Sequence, residues 1–201
     1  MPNRVSTTIR ASLIGVVCVV AIGAVWAFAT GKADALTFNS DGALRSKDIH
    51  WPEGFHPEQA NMFAHNEIDI HASCTKAFAN LVDAETWPAW YPNSHNVKIL
   101  TAGDGKLHDG SRFSWETFRS HTESEVHEFV PDQRLGWFGN GTGTRAYHTF
   151  FLLNTSEGCH VITEEVVKGP VAVVVRYIIP QTMHDGHELW LKTLKARSEP
   201  Q

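Results

Sequence analysis

Thiol chemistry has little to work with in this sequence. Of three cysteines, Cys18 sits in an apolar N-terminal run, and only Cys74 and Cys159 remain. No CxxC pair and no zinc-ligand spacing occurs, which argues against a zinc module or a dithiol redox site. The two remaining cysteines can pair if the chain is exported, or stay as buried free thiols, the plainer alternative; sequence alone supplies no geometry to choose. Also missing are a serine elbow with His and Asp partners, a phosphate-cradling glycine loop and a dinucleotide fingerprint. Gly139-Asn-Gly-Thr-Gly143 is rich in glycine, but it reads as a hairpin turn between strands and not as a strand-to-helix loop. Positive charge is scarce as well. There are 17 Lys+Arg against 22 Asp+Glu, a formal net charge of -5, so a phosphate backbone would be repelled and nucleic acid is excluded as a partner. Internal repeats and low-complexity tracts are absent.

What the chain does have is rings. Seven Trp and eleven Phe are a generous supply of large apolar rings; most fill the core, and a surplus can line a cavity. It also has one long uncharged run, residues 11–29, close to the roughly 20 residues that cross a bilayer as a helix. Arg4 and Arg10 precede it, so the positive flank should stay in the cytoplasm and the remainder be exported. Ala27-Phe28-Ala29 and Ala33-Asp34-Ala35 both fit a signal-peptidase site. Residues 1–35 are therefore expected to be a signal or membrane-anchor segment, with membrane contact through 11–29 if it is not cleaved, and the domain outside the cytoplasm. Residues 36–64 read as a connector, broken by Pro52, Gly54 and Pro57, whose Trp51, Phe55 and Phe63 can pack on the domain surface.

The domain is expected over 65–201. Between His65 and His71, Ile68 and Ile70 alternate with polar residues, as in a half-buried strand. Ser73 is a candidate N-cap for a helix whose apolar face is Ala77, Phe78, Leu81 and Val82. A shorter helical turn follows through Trp87. Six strand-like runs come next, near 95–101, 111–118, 121–130, 133–139, 144–154 and 159–168, separated by turn signals such as Pro131-Asp132 and Asn140-Gly141. Short connections favour an antiparallel meander. The last stretch, 170–197, carries a conflict. Val171–Ile179 is β-branched and strand-prone, while beyond Pro180 the residues Met183, His187, Trp190, Leu191 and Leu194 fall on one helical stripe. The whole stretch is read as a Pro-kinked helix covering the sheet.

Four segments sharpen this reading: Ile68-Asp-Ile-His-Ala-Ser-Cys-Thr-Lys-Ala-Phe78, Asp83-Ala-Glu-Thr-Trp-Pro-Ala-Trp-Tyr-Pro92, Val126–Trp137 with its Pro-x-x-Arg-Leu-x-Trp core, and Gly186–Lys195. In this order they resemble the polyketide cyclase (SRPBCC) branch of the START-like superfamily, over about 65–197. The resemblance implies an α+β helix-grip fold. A curved antiparallel sheet of about seven strands would wrap a long C-terminal helix, with two short helices after the first strand. Between sheet and helix it implies a cavity for an apolar small molecule such as a lipid, isoprenoid or polyketide-like compound. Some relatives instead catalyse cyclisation or dehydration. No cofactor or metal is implied.

The cavity is expected to be lined by Trp90, Phe113, Trp115, Trp137, His148, Phe150, Met183, His184 and His187. Trp87, Trp90 and Tyr91 cap the sheet as core, with some at the pocket mouth. His148, His184 and His187 are the candidate acid–base groups. His184, His187 and Glu188 can share a helix face, but their spacing is not that of a zinc-binding helix and a further ligand is not evident. Period-2 alternation makes Trp115 and Glu116 exclusive, and the ring is expected to face inward. The same alternation puts His148 with Phe150 and Leu152 on the more apolar face, opposite Tyr147.

Overall fold

Turn signals between β-prone runs produce the meander they suggest. The computed structural model describes residues 41–200. Its strands are β1 (Met62–Ile70), β2 (Ser94–Ile99), β3 (Arg112–Thr117), β4 (Ser120–Val130), β5 (Arg134–Gly141), β6 (Thr144–Thr155) and β7 (Gly158–Lys168). They form one antiparallel sheet in the order β1-β7-β6-β5-β4-β3-β2. Only β1 leaves sequence order, pairing beside β7 with Ile68 opposite Val161. Register shifts between His95 and Lys98 and between Val126 and Glu128 add local bends that help the sheet curve.

The helices are α1 (Asp41–Leu44), α2 (Cys74–Val82), α3 (Pro170–Ile178) and α4 (Thr182–Ser198), with 3-10 turns at Pro57–Gln59 and Ala84–Ala89. The architecture is the α+β helix-grip arrangement, with two short helical elements after β1. Ser73 caps α2, its side chain accepting from the Lys76 N–H. β1 starts at Met62 and not at His65, because Met62, Phe63 and Ala64 pair with Val167, Val166 and Glu165. The strand thus takes in the last residues of the 36–64 stretch. Among the described residues no helix is long and apolar enough to cross a membrane; the 11–29 run and the 1–35 segment lie outside the described residues.

The conflict in 170–197 resolves as two helices. Gly169, at φ 121°, turns the chain out of β7, and Pro170 enters α3 at its first turn, where a missing N–H costs nothing. Ile179 precedes Pro180, which disfavours the α region; it sits at φ -138°, ψ 64°, and the helix stops there. α4 then begins afresh. Met183, His187, Trp190, Leu191 and Leu194, its expected stripe, are all buried.

The main core lies between the concave face of the sheet and α2 and α4. It gathers Phe78, Leu81, Trp87, Tyr91, Phe113, Trp137, Phe150 and Trp190. Each such ring buries roughly 150–250 Å², on the order of 4–6 kcal/mol of transfer free energy as an upper bound. Cys74 at the start of α2 and Cys159 on β7 are joined by a disulfide across a sequence separation of 85. The free-thiol alternative is thereby replaced: α2 packs on the inner face where Cys159 points, which no local pattern announces. The convex face is not bare either. Trp51, Phe55 and Phe63 cover Phe138, Tyr147 and Val166, so Tyr147 is as buried as its inward neighbour His148.

Candidate ligand-binding site

A cavity of about 180 Å³ remains where the grip of sheet on helix is incomplete. Strand alternation aims Trp115 of β3, Trp137 of β5, His148 of β6 and Glu165 of β7 into it. Met183, His187 and Trp190 close it from α4, and Val171, Ala172 and Val175 from α3. Gly139 and Gly141 also face it, and their missing side chains help leave the space open. Most of the wall is apolar, which suits a ligand that leaves water favourably.

The polar groups gather at one place. His148, Glu165 and His187 each bring one potential ligand atom, all within 4.8 Å of one another. The hydrogen bonds around them fix which nitrogens carry protons. The Thr163 hydroxyl donates to the Thr149 carbonyl at 3.1 Å, so across the 2.8 Å contact with His148 it accepts from Nε2–H. Burial, together with the neighbouring His187, holds the His148 imidazole well below its ordinary pKa of 6.5, hence neutral, with a lone pair on Nδ1. His187 Nε2–H donates to Glu165 Oε2 at 3.0 Å, and its Nδ1 is buried with no partner among the described residues. Chemically, two histidines and a carboxylate can hold a transition metal. Here the two rings stack, centroids 4.5 Å apart and planes 11° off parallel. In-plane lone pairs of stacked rings do not converge on one ion, so the group as arranged is a hydrogen-bonding and proton-holding site.

The mouth is marked by Phe118, Thr142 and Val171, which line the cavity and are exposed. Phe118 is held there at a cost. It and Arg119 form the two-residue turn between β3 and β4 with φ 49° and 62°, a conformation that suits Asn-Gly far better. The turn presses the Phe118 ring on α4 at Gly186, where an added Cβ would lie 2.4 Å from Cζ. Gly186 is therefore the residue that lets the turn and the helix touch.

Of the side chains named from sequence, Trp115, Trp137, His148, Met183 and His187 line the cavity. Phe113 and Phe150 stand behind it, packed on Trp137 at 5.8 Å each. Trp90 is half-buried at the end of the 3-10 turn, its Nε1–H 3.3 Å from Thr86 Oγ1, and takes no part in the lining. His184 lies elsewhere: its Nδ1 meets Asp41 Oδ2 at 3.0 Å and its Nε2 faces the Asn66 amide at 3.4 Å. A stripe that includes residues 183, 187, 190 and 194 turns position 184 toward β1 and α1. Glu188 goes the same way, reaching the Asn66 amide at 3.4 Å, so the cluster of His184, His187 and Glu188 does not form. Trp115 faces in and Glu116 does not, as alternation requires. Sequence reasoning passed over Glu165, although it shares parity with Val161, Thr163 and Val167 on the inner face of β7; that parity was the available signal.

Residues 64–199 match the sequence profile of a family described as polyketide cyclase / dehydrase and lipid transport. No curated protein matches the chain. Among solved structures, a hypothetical protein from Helicobacter pylori is 30% identical, with 77% of this chain and 98% of that one covered and a TM-score of 0.71. A START superfamily protein from Mycobacterium smegmatis is 16% identical, with 68% and 96% covered and a TM-score of 0.53. The di-domain aromatase/cyclase of the steffimycin biosynthetic pathway is 14% identical, covering 68% of this chain and 50% of that one at a TM-score of 0.56. The last two, at such identities, bear on fold alone.

Proposed function

The chain belongs to the polyketide cyclase / dehydrase and lipid transport family, and from that premise we propose that it binds a compact apolar small molecule, or one end of a longer one, between the sheet and α3–α4. The observation that carries this is the cavity itself. About 180 Å³ of space walled by Trp, Met and Val side chains is retained inside the domain. That volume equals about six waters, which matches a ring system or short isoprenoid segment and not a whole long-chain lipid. Native mass spectrometry of the purified protein, with thermal unfolding across a panel of apolar compounds, tests the reading. A retained or added ligand should raise the melting temperature in proportion to the logarithm of its concentration. A domain that carries nothing and shifts with nothing overturns it.

A second reading, a cyclase- or dehydratase-type enzyme, draws on one observation: His187, backed by Glu165 and with Nδ1 free, has the parts of a general base. Turnover lost in His187→Gln with ligand binding retained would favour it; loss of both together would assign His187 to binding. In location, the proposal is a domain held outside the cytoplasm. The Cys74–Cys159 disulfide favours an oxidising compartment, and the uncharged 11–29 run suits export or anchoring. Free alkylation of both cysteines in protein taken directly from cells would overturn that.

A further inference from the structure

Two residues that line the cavity each carry a buried polar atom with no partner among the described residues: Nε1 of Trp190 and Nδ1 of His187. They sit one turn apart on α4, both rings against His148, with centroid distances of 5.3 Å for Trp190 and 4.5 Å for His187. Both residues line the cavity and are 1% exposed. An unpartnered buried polar atom is costly, and a donor and an acceptor left open on successive turns of one helix, both rings against His148, point to an absent group that can serve both. The Trp190 N–H can only donate. His187 Nε2–H is spent on Glu165, so in the neutral ring Nδ1 can only accept.

We propose that this end of the cavity recognises a hydroxyl group, an alcohol or phenol at the tip of an apolar ligand, which accepts from Trp190 Nε1–H and donates to His187 Nδ1. Other functional groups fail by the same inventory. A ketone or ether oxygen satisfies Trp190 and sets its lone pairs against those of His187. A carboxylate brings a second negative charge beside Glu165 into a largely apolar wall. An ammonium group has nothing to offer the Trp190 N–H. Among these groups the hydroxyl, with donor and acceptor on one atom, completes both bonds without burying charge. His148 acts here as a positioning residue: its Nε2–H is tied to Thr163, and its ring stacks on His187 and fixes the direction of Nδ1. The inference rests on the apolar-ligand reading and narrows it.

Three probes of one shape test it on the full chain at neutral pH by calorimetry and thermal shift: 2-naphthol, 2-methoxynaphthalene and naphthalene. The naphthol should bind at least about tenfold more tightly than the ether, which accepts from Trp190 but has no proton for His187 Nδ1, the equivalent of one hydrogen bond. In His187→Phe the advantage over the ether should vanish, since both then only accept from Trp190; in Trp190→Phe naphthol and ether should each weaken relative to naphthalene, which binds as before. Equal affinity of naphthol and ether for the unaltered protein would mean that the polar pair holds water, overturning the hydroxyl site while leaving the apolar cavity in place. No binding by any of the three would overturn the apolar-ligand reading and this one with it. The comparison on unaltered protein decides the matter even if a variant does not fold.

Discussion

Glu164 and Glu165 are chain neighbours on β7, point to opposite faces of the sheet, and each meets a histidine. Outside, Glu164 takes His65 at 2.7 Å, the Ser46 N–H joins it, and Asp41 bonds both the His65 N–H and His184. Burial alone would depress the His65 pKa. The hydrogen bond and charge of Glu164, with Glu67 and Asp41 behind, outweigh it and raise it. Inside, His148 has a threonine hydroxyl for its partner and a second imidazole for its neighbour, and its pKa falls. The same residue types thus become a charged clasp on one face and, on the other, a cavity wall where His148 stays neutral and Glu165 holds His187. The chemistry of the partner decides the direction, and free space decides whether anything else can bind.

The difference between the two faces can be challenged at several residues. The largest effect should come from the disulfide, which holds α2 to the inner face. Replacing both cysteines by serine, or reducing the bond, should cost about 4–5 kcal/mol by the loop-entropy relation for a separation of 85. Urea unfolding with and without reductant reads this; a loss below about 1 kcal/mol would mean that the inner face is held by packing alone.

Next, His65→Ala leaves Glu164, which is fully buried, without its main partner, and should cost about 3–5 kcal/mol. His148→Asn, on the inner face, should cost roughly 1–3 kcal/mol, because only one uncharged hydrogen bond and some ring packing are lost. Equal losses in denaturant midpoints would erase the distinction between clasp and cavity wall.

Gly186→Ala should cost roughly 1–3 kcal/mol by driving the Phe118 ring off α4. Because that ring marks the mouth, the off-rate of a bound apolar fluorophore should rise with it, whereas Phe118→Ala added to Gly186→Ala should recover most of the stability. Failure of that rescue would detach the turn from the helix.

The smallest effects are in pH, and here the two faces should respond with opposite signs. The raised pKa of His65 contributes stability that is complete below the ordinary 6.5 and is lost as pH rises through its folded-state value. The lowered pKa of His148 acts at the other end. Below 6.5 the unfolded chain takes up a proton that the buried ring refuses, so stability falls with pH from there downward. A tenfold difference in proton affinity between folded and unfolded chain is worth about 1.4 kcal/mol. His148→Asn should flatten the acid limb of the stability profile and His65→Phe the limb above 6.5. The reverse assignment would invert the electrostatics argued for the two faces.

Much of this was open to reading from the chain. Ile68 and Ile70, the Phe150–Leu152 alternation and the Met183–Leu194 stripe each report which side of an element is buried, because burial selects residues at periods of 2 and 3.6. For Trp115 and Glu116 that rule made the two exclusive, and the size of the ring chose Trp115. Where the rule failed, a second surface was involved. Tyr147 looked like the solvent side of β6 and is buried, since Trp51 and Phe55 arrive from the stretch before β1. His184 looked like a cavity group beside His187 and answers to Asp41 instead.

Local periodicity and turn chemistry, both written in the chain, point to the antiparallel meander, the helical stripe from Met183 to Leu194 and the inward side of His148 and His187; the curvature of the sheet comes from the family resemblance. Long-range packing settles the rest: that Cys74 meets Cys159, that Glu165 rather than Glu188 holds His187, and that Trp190 and His187 end with open hydrogen-bonding atoms at a cavity. Those outcomes depend on which residues meet across tens of positions in the chain, and on the volume left between a sheet and two helices. A pattern that repeats every two or four residues carries no record of either.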